Sequence, residues 1–261
     1  MFAIITPALI SGAVVGKIKY IWFMLFVALW HLFVYCPLAH WLFFYDGWLF
    51  VYGAIDFAGG MVVHTSSGIS ALVLTYWLGN SKARSHTQPH NVPYVLLGAA
   101  LLWFGWFGFN AGSALAAGNV AARAFTNTQH GAAMAMITWG VLEFIFGGDK
   151  WFAGRPTAVG AATGAIVGLV GITPACGYVS NMWALFIGFF TVIPCYFLPR
   201  IIKHRLGIDD RLDAFACHGV GGIMGSILTG LFATIEYGDS LVNGGFYGDG
   251  GVLLGNKLLL Y

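Results

Sequence analysis

The feature that most constrains this chain is a series of eight apolar stretches separated by short polar connectors. An α-helix needs about 20 apolar residues to cross the hydrocarbon core of a bilayer. Because unpaired backbone groups find no partner in that core, helices are the expected spanning element. The pattern therefore predicts an all-α, multi-pass membrane protein with spans at residues 2–16, 20–38, 57–79, 92–112, 119–147, 157–173, 180–202 and 212–235.

The composition excludes several other classes of protein. Only 8% of the 261 residues are charged and 59% are hydrophobic, whereas a soluble domain usually has about 25% charged residues. So few charges cannot cover a water-facing surface, which excludes a soluble enzyme. The formal net charge of +2 gives no indication of a nucleic-acid partner. The four cysteines include no C-x-x-C pair, so the sequence predicts neither a zinc site nor a disulfide framework.

The first apolar stretch is short for a span, and the positive residues Lys17 and Lys19 follow it. A secretory signal carries its positive charge before the apolar core, so none is predicted here. We expect the chain to begin partway through a transmembrane helix. Residues 1–261 would then form a single transmembrane domain that is incomplete at both ends.

The positively charged residues indicate how the helices are oriented. Ten of the twelve Lys and Arg residues lie in the first, third, fifth and seventh connectors. Because cytoplasmic loops carry an excess of Lys and Arg, these connectors are expected to face the cytoplasm. The loops 39–55 and 113–118 and the segment after Glu236 are then expected to face outward. The ten residues are Lys17, Lys19, Lys82, Arg84, Lys150, Arg155, Arg200, Lys203, Arg205 and Arg211.

Two histidines lie deep inside predicted spans. His64 follows Asp56 by eight residues from the outer end of its span, and His218 follows Asp213 by five from the inner end. At a rise of about 1.5 Å per residue, His64 lies roughly 12 Å deep, and a helix that begins near Asp209 places His218 roughly 14 Å deep. Both depths are near the middle of a core about 30 Å thick. Ionisable groups at that depth are candidates for function by default.

The two helices that carry these histidines each start with an aspartate and have glycines beside the histidine. They enter the membrane from opposite sides. This arrangement is typical of an inverted repeat, in which the substrate site lies at the midplane. The alternative to an inverted repeat is that the two histidines are unrelated and that each is hydrogen-bonded to a neighbouring helix. A zinc site is disfavoured because no third protein ligand is evident at that depth. Two neutral rings in a dry pore would suit a small solute that forms hydrogen bonds and can lose a proton.

Two further patterns concern helix ends and helix packing. Asp56 and Asp213 are predicted at helix N-termini, where a carboxylate accepts from free backbone N–H groups. Alternatively, Asp56 lends negative potential to an outer vestibule. Glycines at Gly160, Gly164, Gly168 and Gly171 repeat at helical spacing, and such small-residue faces let two helices approach closely.

Aromatic residues crowd the outer end of the fourth predicted span. Trp103, Phe104, Trp106, Phe107 and Phe109 precede Ser113 there. Aromatic residues gather at membrane interfaces, so a plain interfacial belt is one interpretation. The other is a site for a small cation, held by aromatic faces and the Ser113 hydroxyl.

Taken together, these residues resemble those of a known family. Five strings, in order along the chain, are similar to segments of the ammonium transporter family, which comprises the Amt, Mep and Rh proteins, and they are closer to the Amt branch. The strings are Asp56-Phe-Ala-Gly-Gly…His64, Pro89-His-Asn-Val-Pro93, Trp106-Phe-Gly-Phe-Asn-Ala-Gly-Ser113, Thr173-Pro-Ala-Cys-Gly-Tyr178 and Asp213…His218-Gly.

The resemblance implies the fold of that family, which has eleven helices in an inverted five-plus-five repeat with a final long helix. This chain would contain the end of the third helix through the tenth. The resemblance also implies a homotrimer in the cell membrane, in which each subunit has its own pore. No cofactor is expected, and an enzyme is not expected because the sequence shows no nucleophile–base pair or metal set.

The resemblance also implies roles for individual residues. His64 and His218 correspond to the twin histidines that line the pore of the family. Phe2 and Phe109 correspond to the paired phenylalanines that gate its outer mouth. Ser113 corresponds to the hydroxyl of the outer ammonium site.

Three more residues are assigned to that outer site. Asp56 corresponds to the acidic residue that supports it, and Trp106 belongs to the aromatic cluster beside it. Phe43 takes the position where the family usually has a tryptophan, unless a shifted loop brings Trp41 or Trp48 there instead. Phenylalanine is the poorer cation–π partner, so a weaker outer site is expected.

The implied function is transport of ammonium, with methylammonium as an analogue. Ammonium would bind at the outer site, lose its proton, and pass the histidines as the neutral species. One alternative is a sensor that signals through an unidentified cytoplasmic regulator. The other is an Rh-type gas channel without a cation site, which Ser113 and the aromatic cluster argue against.

Overall fold

The computed structural model describes most of the chain. Within the described residues, every regular element is a helix, which confirms the predicted all-α class. Some of the charged residues used to orient the helices, among them Lys82, Arg84, Lys150, Lys203, Arg205 and Arg211, lie outside the described residues. The described residues are 1–79, 90–148, 153–202, 208, 210, 212–237 and 243–247.

The α-helices follow the predicted spans closely, and three segments are π-helical. The π-helical turns are His31–Tyr35, Gly60–Thr65 and Phe215–Val220. The α-helices are α1 (Phe2–Val14), α2 (Tyr20–Trp30), α3 (Cys36–Phe43), α4 (Trp48–Val51), α5 (Ser66–Leu78), α6 (Val92–Ala111), α7 (Asn119–Phe146), α8 (Ala158–Ile172), α9 (Asn181–Ile201) and α10 (Gly221–Phe232).

Five helical segments in the described part of the chain are long and apolar enough to cross a membrane, which indicates a multi-pass membrane protein. Two shorter apolar helices, α1 and α8, accompany them. The five segments are Tyr20–Val51, Gly60–Leu78, Val92–Ala114, Asn181–Pro199 and Phe215–Phe232.

The outer loop predicted at residues 39–55 is partly helical. Helix α3 extends into it as far as Phe43, and α4 forms a further turn. Gly47 lies between them, where a Cβ atom would overlap the carbonyl oxygens of His40 and Trp41. The chain therefore reverses tightly at this glycine, which shortens the irregular part of the loop.

Helix α7 has 28 residues but is less apolar than the other long helices, because its buried face carries polar side chains. Asn127 on this face is fully buried. Its amide nitrogen donates to the carbonyl oxygens of Cys176 and Val179, both at 2.8 Å. The amide nitrogen of Asn127 is thus satisfied inside the bundle, which helps α7 to lie within it despite its lower hydropathy.

The glycines of α8 make close contacts with neighbouring helices, as their spacing predicts. A Cβ atom at Gly168 would overlap Ala135 and the carbonyl oxygen of Gly131 on α7. A Cβ atom at Gly171 would overlap Thr191 on α9. These contacts lie within one subunit and allow α8 to pack against both helices.

Candidate functional site

The start of the helix that carries His64 is organised by Asp56, as the sequence predicts. Its two carboxylate oxygens accept hydrogen bonds from four consecutive backbone N–H groups, at 2.7–3.2 Å. The donors belong to Gly59, Gly60, Met61 and Val62. Asp56 is 6% exposed, and its carboxylate therefore neutralises the free N–H groups of the helix start. It does not line the outer cavity described below.

The second histidine helix has an acid equivalent to Asp56, which no sequence pattern singled out. The backbone N–H of Phe215 donates to a carboxylate oxygen of Asp210 at 2.8 Å. Asp210 precedes His218 by eight residues, just as Asp56 precedes His64. The counterpart of Asp56 is therefore Asp210. Asp213 directly precedes the first helical residue, Ala214, has a positive φ of 51° and lines the inner cavity.

His64 and His218 meet inside the bundle. Their Nδ1 atoms lie 3.2 Å apart, and their rings are 5.2 Å apart with an interplanar angle of 23°. The two residues are 1% and 9% exposed. Each lies within a π-helical turn, and π-helical turns within longer helices are frequent at functional sites.

The contact between the two Nδ1 atoms constrains the protonation of the rings. In a neutral pair, one ring must donate its Nδ1–H and the other must accept it. The donating ring then has a free lone pair on Nε2, and the accepting ring has an N–H there. Nε2 of His64 has no partner among the described residues. The pair can thus offer one acceptor and one donor to a small molecule.

The histidines border an inner cavity of ≈ 540 Å³. Trp106 also lines it, with its ring stacked on that of His64 at 5.2 Å and 18°. This corrects the placement of Trp106 at the outer site: its indole N–H donates to the Thr173 hydroxyl at 2.9 Å. The other lining residues are mostly apolar and include Ile5, Leu9, Phe109, Thr163, Ile166, Leu212 and Cys217.

Two phenylalanine rings separate this inner cavity from an outer one. Phe2 and Phe109 have ring centroids 4.4 Å apart with an interplanar angle of 42°. Phe109 borders both cavities. The pair therefore lies where the two cavities adjoin, together with Met1, which also borders both.

The outer cavity measures ≈ 630 Å³ and brings Phe43 and Ser113 together. The rings of Phe2 and Phe43 are 6.1 Å apart. Ser113 donates its hydroxyl proton to the carbonyl oxygen of Phe109 at 2.8 Å, so its oxygen can still accept a hydrogen bond from a cation. Trp41 and Trp48 instead contact each other at 5.9 Å.

Tyr35 and Phe57 also line the outer cavity, although no sequence pattern pointed to them. Tyr35 ends the π-helical turn of the α2–α3 segment. A π-helical turn changes which face of a helix the following side chains occupy, so its position could not be read from an α-helical period. Phe57 directly follows Asp56, and its ring contacts Tyr178 edge-on at 5.2 Å.

Comparison with known proteins identifies the family. The family model described as "Ammonium Transporter Family" matches residues 1–260. The chain belongs to the ammonium transporter family. It is 46% identical to an ammonium transporter of Bacillus subtilis over 252 residues, which cover 97% of this chain and 61% of that protein.

Two other proteins of the family are similar to this chain over almost its whole length. The ammonium transporter Amt1 of Archaeoglobus fulgidus is 45% identical over 262 residues, covering 100% of this chain and 62% of Amt1. The crystal structure of Mep2 from Candida albicans matches with a TM-score of 0.89 and 38% identity, covering 99% of this chain and 58% of the Mep2 chain. The chain therefore spans about three fifths of the length of these relatives.

Proposed function

We propose that this protein transports ammonium across a membrane, binding the ammonium ion outside and conducting neutral ammonia past the two histidines. The observation that carries the proposal is the contact between His64 and His218 at 3.2 Å. It lies at the wall of an apolar cavity, behind a closed pair of phenylalanine rings. The curated relatives from Bacillus subtilis and Archaeoglobus fulgidus are named ammonium transporters.

The outer cavity provides the groups that an ammonium ion requires. Phe43 and Phe109 present aromatic faces, and Ser113 presents a hydroxyl oxygen. A cation over an aromatic face gains about 0.5–2 kcal/mol, and the hydroxyl accepts one of its N–H groups. Asp56 supports this site indirectly, because its carboxylate fixes the start of the helix next to it.

The inner cavity favours the neutral species. A bare cation in an apolar cavity loses its hydration without compensation, so ammonium is expected to give up its proton before or at the phenylalanine pair. Movement of Phe2 and Phe109 would open the path. Ammonia has both a lone pair and N–H groups, which match the donor and the acceptor that the histidine pair offers.

Several properties of the whole protein belong to the same proposal. Residues 1–261 are proposed to be part of a single transmembrane domain in the cell membrane. The protein is proposed to form a homotrimer with one pathway per subunit, and to work without a cofactor. Methylammonium is proposed as a transported analogue, which provides a convenient tracer.

Uptake of labelled methylammonium tests the proposal. The full-length protein is expressed in yeast cells that lack their own ammonium transporters. We expect saturable uptake that ammonium competes away and that His64→Ala impairs. His40→Ala is the matched control, because His40 is an exposed histidine that stacks on Phe44 outside both cavities. Absence of uptake by correctly inserted wild-type protein would refute the proposal.

A further inference from the structure

Helix α6 is held in the bundle by a narrow strip of side chains. Only Trp106, Phe109 and Asn110 are buried among its 20 residues, whereas Tyr94 and Phe104 are 72% and 78% exposed. Trp103 and Ala111 are partly buried against the same core, so the rotation of α6 about its own axis depends on this strip together with these two neighbours.

Two hydroxyl groups hold the polar members of the strip. Trp106 donates its indole N–H to Thr173 at 2.9 Å, and Asn110 donates its amide N–H to Thr128 at 2.9 Å. Each threonine in turn donates its own proton to a carbonyl oxygen four residues earlier, at 2.7 and 2.6 Å. Thr173, Asn110 and Thr128 are fully buried, so the loss of a partner cannot be repaired by water.

One face of α6 and of the 3₁₀ turn Gly112–Ala114 that directly follows it carries three residues of the proposed pathway. Trp106 stacks on His64, Phe109 pairs with Phe2, and Ser113 lies in the outer cavity. The positions 106, 109 and 113 are three and seven residues apart, which places them on one helical face. A rotation of α6 would displace all three together.

We propose that the hydroxyl groups of Thr173 and Thr128 fix the rotation of α6 and thereby align Trp106, Phe109 and Ser113 along the pathway. The two threonines are positioning residues, since neither needs to touch the transported species. The proposal rests on the transport function proposed above and adds a specific consequence. Because α6 and the turn that follows it carry Ser113 of the outer site and the wall beside His64, disturbing the rotation of α6 alters ammonium binding and ion selectivity at the same time.

Isosteric variants that remove one hydroxyl test this coupling. Thr173→Val and Thr128→Val keep the shape of the side chain, and Thr173→Ser restores the hydroxyl. Thr191→Val is the matched control, because Thr191 is a fully buried threonine whose hydroxyl has no partner among the described residues.

For the full-length protein in the yeast uptake assay, we expect each of Thr173→Val and Thr128→Val to change two quantities. The half-saturation concentration for methylammonium should rise and the preference for ammonium over potassium should fall, each about five- to tenfold for one lost buried hydrogen bond. Thr173→Ser should restore both quantities. Thr191→Val should leave both within about twofold of the wild type, because it removes no hydrogen bond.

A distance measurement provides a readout that does not depend on transport. Spin labels at Phe104→Cys on α6 and Met182→Cys on α9 are placed in a Cys36→Ser background, where the other three cysteines are buried. Double electron–electron resonance should give a shifted or broader distribution of the distance between the labels in Thr173→Val than in the wild type. The distribution should stay unchanged in Thr191→Val.

The outcomes separate this proposal from the transport function. A wild-type protein without uptake refutes the transport function, and the spin-label distances still test the rotation of α6. Active wild-type protein with normal half-saturation, selectivity and distances in folded Thr173→Val overturns the positioning role. Equal changes in Thr191→Val overturn it too. If Thr173→Val does not yield folded protein, Thr128→Val is used for the same test.

Discussion

Replacing Gly222 by alanine tests whether the crossing of the two histidine helices sets the distance between the rings. A Cβ atom at Gly222 would lie 2.7 Å from the carbonyl oxygen of Gly60 and from the hydroxyl oxygen of Thr65, whereas ordinary contacts begin at 3.4 Å. The helices must therefore separate by about 0.7 Å. The same shift would lengthen the distance between His64 and His218 from 3.2 Å to about 3.9 Å, which is too long for a hydrogen bond.

The expected effect of Gly222→Ala is larger on transport than on folding. Overpacking typically costs about 1–3 kcal/mol of stability, which a bundle of this size can tolerate. Loss of the hydrogen bond between the imidazoles should reduce methylammonium uptake roughly tenfold. Uptake by the full-length protein and its thermal unfolding in detergent measure the two effects separately.

The control for this variant is Gly140→Ala, on α7. The nearest atom to a Cβ there is 3.8 Å away, so uptake and unfolding should both stay close to those of the wild type. Folded Gly222→Ala protein that transports at the normal rate, with normal selectivity against potassium, would refute the reasoning. The distance between the imidazoles would then not depend on this crossing.

Three further predictions concern individual side chains. Phe43→Trp should lower the half-saturation concentration in the uptake assay about two- to thirtyfold, because tryptophan is the better cation–π partner; an unchanged value would place residue 43 outside the cation site. His64→Ala and His218→Ala should each impair methylammonium uptake or admit potassium. The double variant should transport no worse than either single variant, because the two rings act as a pair; additive losses of uptake would contradict this. Asp56→Asn should lower the free energy of unfolding by about 1–3 kcal/mol, because an amide N–H then faces backbone N–H groups; an unchanged melting temperature would mean that these bonds contribute little.

The spans and the meeting of the two histidines could be predicted because they depend on distances along single helices. Apolar length fixes where a helix can cross a bilayer, and the rise per residue fixes the depth of a side chain. His64 and His218 were therefore expected at similar depth from opposite sides. Their contact follows once the two helices cross closely, which Gly68 and Gly219 permit: a Cβ atom at Gly68 would overlap the backbone of Gly219.

The predicted placement of Trp106 at the outer site was wrong because residues that are close in sequence can lie at different depths in the membrane. Trp106 precedes Ser113 by seven residues, which corresponds to about 10 Å along a helix. Trp106 therefore lies deeper in the bundle than the outer cavity, beside His64. The spacing alone contained this information, whereas its bond to Thr173 depends on a contact between distant segments.

The role of Asp210 at the second histidine helix was not predicted for a different reason. Asp209, Asp210 and Asp213 all precede this helix, and composition cannot distinguish which of them reaches the free N–H groups. The choice depends on the backbone path, which turns through a positive φ at Asp213. The internal comparison with Asp56 would have selected Asp210, since both acids precede their histidine by eight residues.

The equal spacing of aspartate and histidine in the two halves has a physical reason. In each half the carboxylate accepts from the backbone N–H five residues later, which is Met61 in one and Phe215 in the other. Both donors lie within the π-helical turns that carry the histidines, and one residue added to the spacer or removed from it would rotate the histidine about the helix axis. A spacer that was one residue longer or shorter in one half would turn its imidazole away from the other. The 3.2 Å contact between His64 and His218 therefore requires the same spacing on both sides of the crossing.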